Sequence, residues 1–111
     1  MSELLIEGHS IPLDKDGYLQ ELTDWSPAVA NALAAREELE LQPEHWEIIE
    51  LLRGFYTEFQ LSPANRPLVK YVAQKLGPDK GNSLHLNRLF KGAPAKLAAK
   101  LAGLPKPTNC L

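Results

Sequence analysis

Apolar residues recur every three or four positions over most of the chain after residue 26, which is the spacing of helices with one core-facing side. The clearest such stripe runs over Trp46–Phe59. Proline opens several of these segments and glycine follows them, as is common at helix N and C termini. Pro67 would disturb a first turn, so the regular part of the third helix should begin nearer Arg66. We predict five helices: 26–39, 42 through the aromatic stripe, 62–76, 82–90 and 93–101.

The first twenty residues lack this spacing and indicate a small β element. Leu4–Glu7 and Ser10–Leu13 read as strands joined by a tight turn at Gly8-His9, because glycine adopts the positive φ that such a turn demands. Pro12 cannot donate to a ladder, so its strand should lie at an edge. A second turn is expected at Asp14–Gly17. The predicted fold class is therefore mainly α, a small orthogonal bundle of about five helices with an N-terminal β-hairpin.

The chain changes character after Gly103, where the fifth helix should stop. Pro105 and Pro107 remove two donors within three residues and fix φ, so the tail can be neither helix nor central strand. Proline-bearing segments favour extended geometry, and the eight residues from Leu104 span at most about 26–29 Å. We predict an extended, mobile C-terminal arm. The expected single domain, 1–111, thus comprises a hairpin region (1–20), a helical bundle (26–102) and the arm (103–111).

The composition fits a soluble domain. Of the 111 residues, 44% are hydrophobic and 23% charged, which suffices for a modest core. No apolar run approaches the roughly eighteen residues of a membrane span, and the start lacks the basic and apolar stretches of a secretory signal. One cysteine permits no internal disulfide and fits a reducing compartment. We therefore expect a cytoplasmic protein with no membrane partner.

Charge is distributed very unevenly along the chain. Residues 1–61 hold 3 basic and 13 acidic side chains, a balance of −10, whereas residues 62–111 hold 9 basic and 1 acidic, a balance of +8. The second half should attract an acidic or polyanionic partner, although opposite faces of a bundle would equally neutralise each other. A helix-turn-helix around residues 77–82 is one alternative, although a sequence pI near 5.9 and the long linker argue against it. Its phosphate contacts would be Arg66, Lys70, Lys75, Arg88 and Lys91.

Cys110, the only thiol, is the strongest candidate for chemistry. Thiols react as thiolates, whose fraction rises near cations. Lys96, Lys100 and Lys106 would supply that field if the arm folds back onto the helices. An incidental terminal cysteine is the alternative reading of the residues alone.

Other chemistry is poorly supported by the sequence. No glycine-rich phosphate loop and no nucleophile elbow occurs, so no cofactor is predicted. The three histidines have no ligand-like neighbours, so capping or surface roles are expected and no metal site is predicted. They are His9, His45 and His85.

The sequence resembles the DsrC/TusE family of sulfur-carrier proteins over nearly its whole length. The most specific matches are the block Pro43-Glu44-His45-Trp46 and the tail Gly103-Leu104-Pro105-Lys106-Pro107. Other matching segments are Gly17-Tyr18-Leu19, Trp25-Ser26, Phe55-Tyr56, Ser62-Pro63-Ala64, Leu68-Val69-Lys70, Lys80-Gly81-Asn82-Ser83, Arg88-Leu89-Phe90 and Pro94-Ala95-Lys96. The resemblance implies a helical bundle with an N-terminal hairpin and a mobile C-terminal arm, in agreement with the pattern above.

The resemblance also implies a role for Cys110, which matches the family's penultimate, persulfide-carrying cysteine. Residues 103–107 would then form the arm that presents it. In the DsrC branch a second cysteine lies eleven residues earlier, where this chain has Ala99. The resemblance thus favours the single-cysteine TusE-like branch, a sulfur-relay component that is not a stand-alone catalyst.

Partners follow from the same resemblance. The implied donor is a TusBCD-type sulfurtransferase complex, and the implied acceptor is the thiouridylase that makes 2-thiouridine at the wobble position of tRNA. Direct contact with tRNA is left open. A DsrC-like role in sulfur oxidation or sulfite reduction is the first alternative, and a helix-turn-helix regulator is the second.

Overall fold

The structure, a computed structural model, describes residues 2–107. Two strands, β1 (Ser2–Ile6) and β2 (His9–Leu13), pair as an antiparallel hairpin. The helices that follow are α1 (Pro27–Arg36), α2 (Pro43–Phe59), α3 (Asn65–Leu76), α4 (Ser83–Leu89) and α5 (Pro94–Leu101). The predicted helical bundle with an N-terminal hairpin is confirmed.

The turn of the hairpin lies one residue earlier than predicted. Ile6 pairs with His9, so Glu7 and Gly8 form the two-residue turn, with φ of 50° and 82°. Positive φ at both positions is characteristic of the type I′ turn, whose twist matches that of paired strands. His9 therefore belongs to β2 and not to the turn.

One helix boundary differs from the prediction. α1 ends at Arg36 instead of near residue 39, because Glu38 adopts a left-handed backbone with φ of 56°. α3 begins at Asn65, within one residue of Arg66, where its regular part is predicted to begin. Ser62 does not cap it, and the Ser62 hydroxyl binds elsewhere.

α5 is the central element of the bundle, since it packs against α1, α2, α3 and α4. Six of its eight residues are buried: Pro94, Ala95, Leu97, Ala98, Ala99 and Leu101. The alanines allow neighbouring helices to approach closely, and larger side chains such as Phe90 fill the space around them. Because α5 leads directly into residues 103–107, which we call the C-terminal segment, the core fixes where that segment begins.

Gly81 permits a close approach between the α3–α4 connection and α3. A Cβ at this position would overlap the backbone of Ala73, which cannot move without displacing α3. Gly81→Ala should therefore destabilise the fold by about 2 kcal/mol in urea unfolding. Gly54→Ala is the matched control, because Gly54 is an exposed position of α2 where a Cβ would meet open space, and the change should stabilise the fold by about 0.5–1 kcal/mol. Equal effects at the two glycines would contradict this packing.

Candidate functional site

The C-terminal segment begins beneath Trp25 and Arg53. The Trp25 indole N–H donates to the carbonyl of Leu101 at 2.8 Å. Arg53 lies 3.9 Å above the indole ring and donates to the carbonyl of Ala102 at 2.7 Å. Burial lowers the pKa of the Arg53 guanidinium from its ordinary value. Side chains from two other parts of the fold thus satisfy the carbonyls at the end of α5, which otherwise have no helical partner.

A Schellman motif at the end of α5 sets the direction of this segment. Gly103 N–H bonds to the carbonyl of Lys100 at 3.1 Å, and Leu104 N–H bonds to that of Ala99 at 2.9 Å. The motif needs a left-handed residue, and Gly103 supplies it with φ of 73°. Leu104 is only 3% exposed and joins the core. Gly103 therefore stops the helix, as predicted.

Residues 105–107 continue along the surface of the bundle. The Ser62 hydroxyl donates to the carbonyl of Pro105 at 2.6 Å, and the Lys106 ammonium lies 3.3 Å from the Asp16 carboxylate. Pro107 is buried. The predicted arm therefore starts with five anchored residues, because burial of Leu104 and these polar contacts hold them. Its mobility stays a prediction.

A cleft of about 330 Å³ lies beside Lys106, between the C-terminal segment and the bundle. Its charged lining residues are Lys91, Lys96, Lys100, Lys106, Asp16 and Glu37. The structure thus brings together the three lysines, Lys96, Lys100 and Lys106, that are predicted to surround the thiol if the arm folds back. It adds Lys91, which is predicted only as a phosphate contact of the helix-turn-helix alternative. The cleft has four cations against two carboxylates, so it favours an anion.

Two of the four lysines are paired with carboxylates. Lys100 lies 3.1 Å from Glu37, and Lys106 pairs with Asp16 as described above. Lys100 also lies 5.3 Å from the centre of the Tyr18 ring, and the Tyr18 hydroxyl donates to the carbonyl of Lys96 at 2.9 Å. These contacts fix the wall of the cleft that α5 provides.

The other two lysines have different roles. Lys91 donates to the carbonyls of Glu37 at 2.6 Å and Glu38 at 3.3 Å, and so caps the negative end of α1. Lys96 is exposed, and no carboxylate lies within 4 Å of it among residues 2–107. Its charge is therefore the one in the cleft with the least compensation.

Cys110 lies outside the described residues. The covalent chain limits the Cα–Cα distance from Pro107 to Cys110 to about 10–11 Å when fully extended. Lys106, four residues before the thiol in sequence, lines the cleft. Ala99, where the second cysteine of the DsrC branch would lie, is completely buried in α5.

His9 is exposed and His45 caps a helix, as expected, whereas the side chain of His85 is buried. His45 Nδ1 accepts from the N–H of Gln42 at 2.9 Å, and its Nε2 lies 2.9 Å from the carbonyl of Leu89. The Nε2–H tautomer satisfies both bonds, so His45 caps α2 and ties it to α4. His85 Nδ1 accepts from Arg88 at 3.2 Å. Residues 2–107 contain no cluster of His, Cys, Asp and Glu arranged to hold a metal.

Several residues that shape the site were not predicted from the sequence, namely Trp25, Arg53, Ser62, Asp16 and Glu37. Trp25 and Ser62 lie in segments that carry the family resemblance, which is the only signal that the sequence offered for them. The remaining three become visible only through contacts between distant parts of the chain.

Comparison with protein families matches residues 5–111 to the family described as DsrC like protein. The chain belongs to this DsrC-like family. The resemblance seen in the sequence is thereby confirmed, and it covers all five helices and the C-terminal segment. No helix within residues 2–107 has the length and apolar character needed to cross a membrane.

Curated relatives agree with this assignment. "Sulfurtransferase TusE" of Salmonella choleraesuis is 55% identical over 108 residues, which cover 97% of this chain and 99% of the relative. "Sulfurtransferase TusE" of Escherichia coli is 51% identical with the same coverage.

Solved DsrC structures share the fold. The NMR structure of Allochromatium vinosum DsrC is 48% identical with a TM-score of 0.90, and the match covers 99% of this chain and 98% of that one. The oxidized gamma-subunit of the dissimilatory sulfite reductase (DsrC) from Archaeoglobus fulgidus is 40% identical with a TM-score of 0.84, covering 98% and 99%.

Proposed function

We propose that this chain is a sulfur-relay protein that accepts sulfur as a persulfide on Cys110 and passes it to an acceptor. One observation carries the proposal. The chain is 51–55% identical, over nearly its full length, to proteins named sulfurtransferase, and it contains a single cysteine. Persulfide transfer requires a thiol, so Cys110 is the only residue able to carry the sulfur.

The chemistry is thiol exchange with sulfur as the transferred group. The Cys110 thiolate attacks the outer sulfur of a donor cysteine persulfide. The S–S bond of the donor breaks, its electron pair leaves with the donor thiolate, and a new S–S bond forms at Cys110 Sγ. The proton stays with the transferred sulfur, and no net oxidation occurs. The rate depends on the thiolate fraction and on access to the sulfur.

The cleft supports this step through its unbalanced positive charge. Lys96 is exposed and has no carboxylate nearby within the described part of the chain, so it offers the least compensated field to an anionic sulfur. Lys100 contributes less because Glu37 neutralises it at 3.1 Å. Both lysines therefore act as electrostatic support, with Lys96 the stronger.

The anchored residues determine where the arm starts. Leu104, Pro105 and Lys106 hold its base against the bundle, so residues after Pro107 would enter a partner from a defined position. Proline also limits the conformations available to the free chain, which lowers the entropy cost of inserting it into a partner.

We further propose a TusBCD-type complex as donor and a tRNA 2-thiouridylase as acceptor, acting in the reducing cytoplasm. The names of the relatives and the absence of a second cysteine at Ala99 support this choice. A DsrC-like role in sulfur oxidation or sulfite reduction is the second candidate, favoured by 48% identity to Allochromatium vinosum DsrC. Chemistry that needs two thiols in one chain is not open to this protein.

The direct test is persulfide loading followed by intact mass measurement. The reduced chain, incubated with a cysteine desulfurase and free cysteine, should gain about 32 Da, the mass of one sulfur atom, and lose it on treatment with dithiothreitol. The Cys110→Ser chain should gain nothing. A wild-type chain that never gains this mass from protein or small-molecule persulfides would falsify the proposal.

A further inference from the structure

Two smaller grooves adjoin the cleft and extend its positive charge across the surface. One, of about 230 Å³, is lined by Arg66 and Lys70 of α3. The other, of about 180 Å³, shares Asn65 with the first groove and shares Ala93 and Lys96 with the cleft. We call the three together the basic groove. It runs from α3 to the C-terminal segment.

The junction between α3 and α5 makes this surface continuous. The Asn65 side chain accepts a hydrogen bond from the backbone N–H of Ala95 at 3.0 Å. This contact brings the first turns of the two helices together, so Arg66 and Lys96 each lie one residue from it. Lys70 follows Arg66 by four residues, a rise of about 6 Å along the helix axis. Lys100 follows Lys96 by the same interval.

The basic groove retains a large positive balance. Six cations line it, namely Arg66, Lys70, Lys91, Lys96, Lys100 and Lys106, against the two carboxylates Asp16 and Glu37. Arg66, Lys70 and Lys96 have no carboxylate within 4 Å among residues 2–107. Neither α3 nor α5 contains an acidic residue. These three cations are therefore available to a polyanion.

We propose that the basic groove binds the phosphate backbone of an RNA and holds it beside the C-terminal segment. This rests on the proposed function, in which the sulfur is destined for an RNA base. Repeated cations at one-turn spacing suit the regular charges of a nucleic acid strand. Protein interfaces instead have an apolar core depleted of charge. Val69 is the one large apolar residue that lines the two outer grooves, and their other lining residues are cations, polar residues, glycine and alanine.

The test is the salt dependence of RNA binding. A fluorescein-labelled tRNA transcript with an unmodified wobble uridine is titrated with the full reduced chain, and anisotropy is read from about 0.05 to 0.3 M salt. Affinity should fall steeply with salt. Lys70→Gln should weaken binding about five- to eightfold at about 0.1 M salt and reduce the slope by about one, as loss of one phosphate contact predicts. Arg66→Gln/Lys70→Gln should weaken it at least about tenfold.

Lys75→Gln is the matched control, because Lys75 is also exposed on α3 but lies outside the basic groove, beside Tyr71. It should change affinity less than about twofold. Equal losses for Lys70→Gln and Lys75→Gln overturn the proposal. If polyglutamate competes as effectively as unlabelled tRNA, the proposal is also overturned, and an acidic protein partner is favoured.

Persulfide loading of Lys70→Gln, measured in parallel, separates this inference from the proposed function. If the Lys70→Gln chain loads sulfur normally and binds RNA as tightly as the unaltered chain, RNA binding by the basic groove is rejected and the sulfur-relay function stands. Failure of the wild-type chain to load rejects the relay, whatever the RNA result.

Discussion

Replacing Cys110 by serine should abolish sulfur delivery to the acceptor, a loss of at least about a hundredfold relative to the unaltered chain. The serine hydroxyl is not ionised near neutral pH, and an oxygen in place of Sγ cannot form the S–S bond that carries the cargo. No other residue can substitute, because the chain contains one cysteine. The measurement is 2-thiouridine in tRNA from bacteria that lack their own copy of the gene and express either chain.

Thr108→Ser is the control, because it alters the same part of the sequence by one methyl group and keeps the thiol. It should restore thiolation to within about twofold of the unaltered chain. A Cys110→Ser chain that restores 2-thiouridine would contradict a carrier role for the thiol. If the unaltered chain accepts sulfur in vitro but does not restore tRNA thiolation, the DsrC-like candidate is favoured over the tRNA pathway.

Helix starts are the part of the fold that the sequence determined best. The sequence predicts three helix starts at Ser26-Pro27, Asn82-Ser83 and Ala93-Pro94. The helices α1, α4 and α5 begin at the second residue of these pairs. Capping and the fixed φ of proline act within a few residues, so they can be read without knowing the rest of the fold. Ser26 indeed accepts the hydrogen bond of Val29 N–H.

The path of the C-terminal segment could not be predicted in the same way. Its anchors join residues far apart in sequence, with Ser62 bound to Pro105 and Asp16 to Lys106. Proline content alone favours an extended segment but does not say whether that segment lies on the bundle or leaves it. Because Leu104 is buried, the residues up to Pro107 lie on the bundle.

The candidate site was predictable only in part for a related reason. Lys96 and Lys100 lie one turn apart on α5, so their shared face follows from helical spacing. Lys91 enters the cleft from the connection before α5, and Asp16 and Glu37 enter from the acidic half of the chain. Carboxylates of the acidic half therefore neutralise Lys100 and Lys106 locally. The cations of α3, in contrast, have no carboxylate within 4 Å among residues 2–107.

Gly103→Ala should lower the free energy of unfolding by about 3 kcal/mol and the Tm by roughly 15 °C. Two costs combine at this position. Any other residue is strained at φ of 73°, and a Cβ would come within 2.7 Å of Trp25 Cβ and Cγ. Trp25 cannot yield easily, since its indole is bonded to Leu101 and covered by Arg53. Urea unfolding monitored by tryptophan fluorescence measures this change in the free energy of unfolding.

Gly92→Ala separates the two costs, because Gly92 has φ of 83° but a Cβ there would meet nothing within 4 Å. Gly92→Ala should lower the free energy of unfolding by the cost of the strained backbone alone, about 1 kcal/mol. Equal losses of stability in the Gly92→Ala and Gly103→Ala chains would show that the overlap with Trp25 contributes nothing to the effect at Gly103. Where the Gly103→Ala chain remains folded below its Tm, it should also accept sulfur from a donor complex more slowly than the Gly92→Ala chain. The reason is that the Schellman motif at Gly103 directs the segment that carries Cys110, whereas Gly92 lies before α5 and leaves that direction unchanged.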